Sequence, residues 1–61
     1  MSTLPELSTV RIKREIGRVP WCVQAGSVGT IVHVYSDGLA YEVEFEDRAV
    51  ETVEADDLEA A

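Results

Sequence analysis

The sequence predicts an all-β domain, folded as a small, strongly bent antiparallel barrel of about five strands. Two observations support this expectation. Apolar and polar residues alternate over several short stretches, as they do in strands with one buried face. Turns rich in glycine or acidic residues separate these stretches. The chain has 61 residues, which leaves no room for a second domain. We expect a tail or single helical turn over residues 1–8 and the barrel over residues 9–59.

Two strands are predicted in the first half of the chain. Val10 and Ile12 alternate with basic residues, which is typical of a half-buried strand. Residues 27–35 are rich in β-branched and aromatic side chains and predict the clearest strand. Gly29 interrupts that strand, which indicates a bulge or a sharp bend. Residues 16–26 lie between the two strands as a long loop, and loops of this length are often functional.

The next strand is predicted from a turn signal and a strict alternation. Asp37-Gly38 is a favoured hairpin turn. Residues 41–46 then alternate between apolar and acidic side chains, so one face is buried and the other is acidic. The same alternation places His33 on the face of its own strand that carries Ile31 and Tyr35.

The last third of the chain predicts a fourth strand and a short fifth one. A turn over residues 46–48 precedes a strand over residues 49–54. Val50 and Val53 differ in parity there, so we expect a bulge between them. Leu58 follows a tight turn and is expected to fill the core, with frayed residues after it.

The charge of the chain is negative and unevenly distributed. The net charge is −7, with five basic and twelve acidic residues. Residues 36–61 contain ten of the acidic residues and only one arginine. A negative domain repels phosphate, which argues against binding to nucleic acid or to an anionic membrane. The charge suits a basic protein partner, or it serves solubility alone.

The sequence also bears on compartment and assembly. Cys22 is the single cysteine, so the chain can form no internal disulfide. The first residues lack a basic segment followed by an apolar run, so we expect no signal peptide and a cytoplasmic location. No stretch approaches the ~20 apolar residues of a membrane span. Homo-oligomerisation stays open.

Two segments together resemble a known family. Residues 26–35 read Gly-Ser-Val-Gly-Thr-Ile-Val-His-Val-Tyr, and residues 41–45 read Tyr-Glu-Val-Glu-Phe. With Val19-Pro20 ahead of them, they are similar to a family of short, uncharacterised, mainly bacterial proteins. The match covers about residues 8–58. The sequence departs from the family pattern after Phe45, where the expected glycine-containing turn is missing.

This resemblance implies an SH3-like small barrel and no established activity. The same glycine-containing segment looks like ribosomal and transcription domains of the KOW type, and like the barrel of nitrile hydratase β subunits. Related small domains are binding modules, so the resemblance supplies no catalytic residues.

The residues themselves give little support for catalysis, a cofactor or a metal. Gly26 and Gly29 lack the lysine and the following helix of a phosphate-binding loop. Cys22 and His33 form the one thiolate–imidazole combination; with no asparagine in the chain a carboxylate would have to orient the imidazole, and a small barrel offers little cleft to exclude water. Alternate carboxylates on a strand are ~7 Å apart, too far for neighbours to chelate one ion. We therefore expect no enzyme, no cofactor and no metal site.

The candidate contact residues are aromatic and acidic. Trp21 lies in the long loop and is of the type most enriched at interface hot spots. Tyr35 and Tyr41 flank the hairpin and extend this surface. The acidic strand face adds Glu42, Glu44 and Glu46. The alternatives are that Trp21 covers one end of the barrel, and that the acidic face is a solvated surface partly neutralised across the sheet by Arg11 or Lys13.

These features together favour a non-enzymatic protein-interaction module with a basic protein partner. An inhibitor or antitoxin-like role would fit the charge. One alternative is an RNA- or ribosome-associated barrel that uses a basic stripe formed by Arg11, Lys13, Arg14 and Arg18. The other is an accessory domain of a larger enzyme.

Overall fold

A computed structural model describes residues 4–18, 20, 22–46 and 50–61. In these residues the fold is all-β, as predicted: five antiparallel strands form one sheet, and no α-helix is present. The order across the sheet is β4-β3-β2-β1-β5, so the last strand returns to pair with the first. The strands are β1 (Thr9–Ile12), β2 (Val28–Tyr35), β3 (Ala40–Phe45), β4 (Glu51–Glu54) and β5 (Leu58–Ala60).

One hydrophobic cluster receives side chains from every strand. The alternation in β3 is confirmed, since Tyr41, Val43 and Phe45 are buried. The 16–26 loop also contributes, because Ile16 and Val23 form an antiparallel bridge with N–H to C=O distances of 2.9 and 2.8 Å. The buried hydrophobic residues are Val10, Ile12, Val23, Ile31, Tyr41, Val43, Phe45, Val53 and Leu58.

The bulge in β2 lies at Val32. The sequence predicts a bulge or a sharp bend at Gly29, and the bulge is not there. Gly29 stands in regular pairing between β1 and β3. The register shifts between Ile31 and His33, so Val32 is the extra residue of a bulge. The shift reverses the parity of the strand. The prediction that His33 shares a face with Ile31 is therefore wrong: Ile31 is buried, whereas His33 and Tyr35 are exposed.

The hairpin turn is confirmed at the Asp37-Gly38 signal. A single 3-10 turn, Ser36–Gly38, joins β2 to β3, and all three of its residues have positive φ. The fourth strand begins at Glu51, two residues later than predicted. Val53 is buried and pairs with Tyr41, while Val50 is exposed ahead of the strand, so no bulge is needed between the two valines.

Both ends of the described chain pair with the sheet. A second 3-10 turn, Ala55–Asp57, leads into β5, and Leu58 is buried as predicted. The predicted fraying after it is wrong, because Ala60 pairs with Val10 and the Ala61 N–H donates to the Thr9 C=O at 3.0 Å. At the other end, the Leu7 N–H donates to the Ile31 C=O at 2.7 Å.

Candidate functional site

Three polar side chains form a row across the outer face of β2, β3 and β4. His33 lies opposite Glu42, and Glu42 lies opposite Thr52. The Thr52 hydroxyl donates to Glu42 Oε1 at 2.9 Å. The Val32 bulge creates this row, since without it His33 would face the core side of the sheet.

Tyr35 completes this group from the next outward position of β2. Its ring meets that of His33 edge to face, with centroids 4.6 Å apart and planes at 76°. The pKa of Tyr35 is raised above its ordinary value of 10.0, first by desolvation and then by a hydrogen bond to the Glu42 carboxylate and by its charge. Glu42 thus holds both Tyr35 and Thr52. We call His33, Tyr35, Glu42 and Thr52 the outer-face cluster.

Carboxylates surround the outer-face cluster without a compensating cation on their strands. Neither β3 nor β4 contains a basic residue. The sequence suggests that Arg11 or Lys13 partly neutralises this face across the sheet. They do not, because β2 separates β1 from β3. We call the outward carboxylates of this region the acidic outer face; they are Glu42, Glu44, Glu46 and Glu54.

The basic stripe is partly neutralised by the C-terminal residues. Arg11 Nη1 lies 3.5 Å from Glu59 Oε2 on β5. Arg14 Nε donates to the carboxylate of Asp57, which is buried beneath it. Two of the four basic side chains therefore have acidic partners, which weakens the electrostatic attraction that this stripe would offer to a phosphate backbone.

The structure leaves most of the expected contact residues accessible at the surface and buries one of them in the core. Tyr35 is 39% exposed, Glu44 and Glu46 are exposed, and Glu42 is half-buried. Tyr41 is only 3% exposed, so it belongs to the core and is not a surface contact. Its hydroxyl accepts a hydrogen bond from the Leu4 N–H at 3.2 Å. Trp21 lies outside the described residues.

His33 and Thr52 are the parts of the cluster that the sequence analysis missed. Their contacts with Glu42 and Tyr35 depend on the register of three strands, and that register follows from the Val32 bulge. The strong β2 pattern could have signalled the irregularity, because Ile31, Val32 and Val34 cannot all face one side of a regular strand.

An open depression lies next to the acidic outer face. It has a volume of about 510 Å³ and lies beside the β2–β3 ladder. Its lining combines the exposed Val28 with Thr30, Glu44 and Glu46. Within residues 4–18, 20, 22–46 and 50–61, no group of three His, Cys, Asp or Glu side chains is placed to hold a metal ion. In the same residues no helix is long and apolar enough to cross a membrane.

Fold and surface together define a small all-β domain, built on one five-stranded antiparallel sheet with an acidic face. The chain belongs to the family described as a domain of unknown function, DUF4926, whose model matches residues 5–61. No curated protein and no solved structure matches the chain.

Proposed function

We propose that this protein is a non-enzymatic interaction module that binds a basic protein partner through its acidic outer face. The observation that supports the proposal is the separation of charge across the sheet. β3 and β4 present carboxylates with no basic residue between them, while Arg11 and Arg14 are paired with acids at the other side. A surface of one sign attracts an oppositely charged partner and raises its association rate.

Tyr35 gives this face an anchor of the kind that interfaces use. Aromatic residues carry much of the binding energy at protein interfaces, because they bury a large apolar area with few rotatable bonds. The ring of Tyr35 is partly exposed, and its position is supported by His33 and by Glu42. A partner would bury this ring, while the carboxylates around it select for positive charge. An inhibitor or antitoxin-like role toward a basic protein is one form that such binding would take.

A pull-down with matched variants tests this proposal. The immobilised protein is exposed to lysate at low and high salt, with and without nuclease, and bound proteins are identified by mass spectrometry. We expect one dominant basic protein that high salt releases and nuclease leaves in place. Glu44→Gln/Glu46→Gln should reduce its recovery, whereas the control Glu15→Gln, an exposed loop residue, should not. Ribosomal proteins that vanish with nuclease would instead support the RNA alternative.

Trp21 is proposed as a second anchor, and one substitution separates its two roles. If Trp21 contacts the partner, Trp21→Ala should abolish binding and leave the melting temperature unchanged. If Trp21 covers the core, the same substitution should lower the melting temperature strongly, because truncating a buried Trp costs about 3–5 kcal/mol.

We also propose that the sheet is bent into an SH3-like barrel. The division of β2 supports this arrangement. Residues 28–30 pair with β1, and Ile31 bonds to Leu7 and Ser8 just ahead of it, while residues 33–35 pair with β3 alone. The single 3-10 turn before β5 and the return of β5 to β1 fit the same arrangement. An experimental structure in which β2 bends at Val32 between two orthogonal layers would support it, and a flat sheet would contradict it.

A further inference from the structure

β4 is an edge strand of four residues, and every second residue of it is hydrogen-bonded to β3. The Ala55 N–H donates to the Leu39 C=O at 3.0 Å, which makes these residues a hydrogen-bonded pair of the β3–β4 ladder. Hydrogen-bonded and non-hydrogen-bonded pairs alternate along an antiparallel ladder. Val53 and Glu51 therefore bond to β3, and the backbone groups of Thr52 point the other way.

The free edge of β4 thus presents a short run of backbone hydrogen-bonding groups. The N–H and C=O of Thr52 and the N–H of Glu54 all point to it. The C=O of Glu54 points there too, at the start of the 3-10 turn that follows. Among the described residues, no backbone bond outside the β3–β4 ladder involves Thr52. Such a row of groups is a template for another strand.

Charge decides which strand can use this template. Glu51 and Glu54 are two of the four residues of β4, and Glu42 stands behind Thr52 on β3. A second copy of the chain would bring two acidic strands together, and like charges disfavour that pairing. A basic segment would find opposite charge on the outer face of this edge, at Glu54 and at Glu42 behind Thr52, and at Glu51 on the inner face.

We propose that the free edge of β4 takes an extended basic segment of a partner protein as a sixth strand of the sheet. This inference rests on the proposed function and deepens it, because it names the backbone that the partner must pair with. Strand addition draws affinity from main-chain hydrogen bonds and specificity from alternate side chains.

The register of the sheet then specifies the side chains of the added strand. Residues opposite Thr52 and Glu54 share the outer face with them, and strands lie ~4.8 Å apart, so a Lys or Arg there reaches Glu54. The intervening residues face inward beside Val53, which is buried. The expected segment therefore alternates basic and small or apolar residues. The basic residues lie opposite Thr52 and Glu54, whose backbone groups point to the free edge, so they form hydrogen-bonded pairs with β4. Their own backbone N–H groups therefore donate to β4.

Three synthetic peptides test this geometry at constant charge. The first is acetyl-Lys-Val-Lys-Thr-Lys-Val-Lys-amide. The second has its lysine backbone nitrogens methylated, and the third has its valine and threonine nitrogens methylated. Binding is measured by NMR titration of the protein, with amide hydrogen exchange. The unmodified and third peptides should bind and should slow exchange at Thr52 and Glu54, while the second should bind at least tenfold more weakly.

Charge-swapped variants supply the matched control. Glu54→Lys should weaken binding of the lysine peptide and favour acetyl-Glu-Val-Glu-Thr-Glu-Val-Glu-amide, because Glu54 is the β4 carboxylate that shares the outer face with the charged residues of the peptide. Glu15→Lys, which changes charge by the same amount per residue in the exposed loop, should keep the preference for the lysine peptide.

The outcomes separate this inference from the proposed function. Equal, salt-sensitive binding of all three lysine peptides would overturn strand addition and leave the acidic outer face as the contact. Dimerisation through β4, seen as protection of Thr52 that grows with protein concentration, would also overturn it, because a second copy would then occupy the edge. If no lysine peptide binds, strand addition is wrong. If Glu44→Gln/Glu46→Gln also leaves recovery of the basic protein from lysate unchanged, the proposed function is wrong as well.

Discussion

Gly29 and Val43 approach so closely across the β2–β3 ladder that a β-carbon on Gly29 would lie 2.7 Å from Val43 Cγ1. The same β-carbon would lie 2.8 Å from the Glu44 carbonyl oxygen, a backbone atom that cannot turn aside. Gly29 pairs with Val10 on one side and with Phe45 on the other, so β1 and β3 both contact it. Only a hydrogen atom fits at this position without separating the strands.

Gly29→Ala should therefore lower the free energy of unfolding by about 1–3 kcal/mol, as overpacking of a core does. Gly26→Ala is the contrasting variant. Gly26 has a φ of +92° but no atom within 4 Å of where a β-carbon would lie. Gly26→Ala should therefore lower the free energy of unfolding only through backbone strain, by about 1 kcal/mol. Urea unfolding of both variants checks this. A Gly29→Ala protein as stable as the original would show that β2 can move away from β3.

The sequence marked Gly29 as exceptional, but the physical reason differs from the one predicted. A glycine within a strand indicates either a bulge or a close approach, and the choice depends on what packs against it. The bulge itself falls at Val32. The pattern of Ile31, Val32 and Val34 indicates an irregularity in β2, but it does not say which residue is the extra one. Strand positions were predictable from alternation and turns, whereas the partners of each strand were not.

Leu58 should matter more for stability than any exposed leucine. It is 4% exposed and lies in the last strand, where it faces Ile12 of β1. Leu58→Ala should cost about 2–4 kcal/mol, since the chain cannot easily collapse into the cavity. Leu39→Ala is the control, because Leu39 is 72% exposed and its loss should stay within about 0.5 kcal/mol. Thermal unfolding measures both, and equal losses would contradict the placement of β5.

Arg14 and Lys13 offer a matched test of the ion pair with Asp57. Arg14 donates to the Asp57 carboxylate through its side chain, whereas Lys13 contacts Asp57 only through its backbone N–H, at 2.8 Å from the Asp57 C=O. The Arg14 side chain is 72% exposed, so solvent screens the pair. Arg14→Ala should cost about 0.5–1 kcal/mol, and Lys13→Ala should cost less. High salt should narrow the difference between the two variants, and a larger loss for Lys13→Ala would contradict the pairing.

The acidic side of β3 was predictable from the alternation of that strand alone. The outer-face cluster was not, because it depends on the register of three strands. The alternation of β3 placed Glu42 and Glu44 outward and Tyr41 inward from sequence alone. The position of Tyr41 beside the same hairpin as Tyr35 nevertheless predicts a surface contact, and this prediction is wrong. The two tyrosines lie on opposite faces, and only the parity reversal at the bulge brings His33 and Tyr35 to the outer one.

The raised pKa of Tyr35 predicts how stability depends on pH. The folded state holds the phenol proton more tightly than the unfolded chain, where the pKa is 10.0, because the ring is desolvated and the phenol bonds to Glu42. This contribution is therefore fully present below pH 10.0 and is lost as the pH rises through the folded pKa. Tyr35→Phe should remove that part of the alkaline loss and leave a flatter stability curve.

Urea unfolding of the original protein and of Tyr35→Phe across the alkaline range measures this difference, and tyrosinate absorbance follows the ionisation directly. Glu42→Gln supplies the control for its cause. It removes the carboxylate charge beside the phenol but leaves the ring desolvated, so the Tyr35 titration should shift back only in part toward 10.0. A titration unchanged by Glu42→Gln would show that Glu42 does not hold Tyr35 in solution. The support for Tyr35 as an anchor of the acidic outer face would then rest on His33 alone.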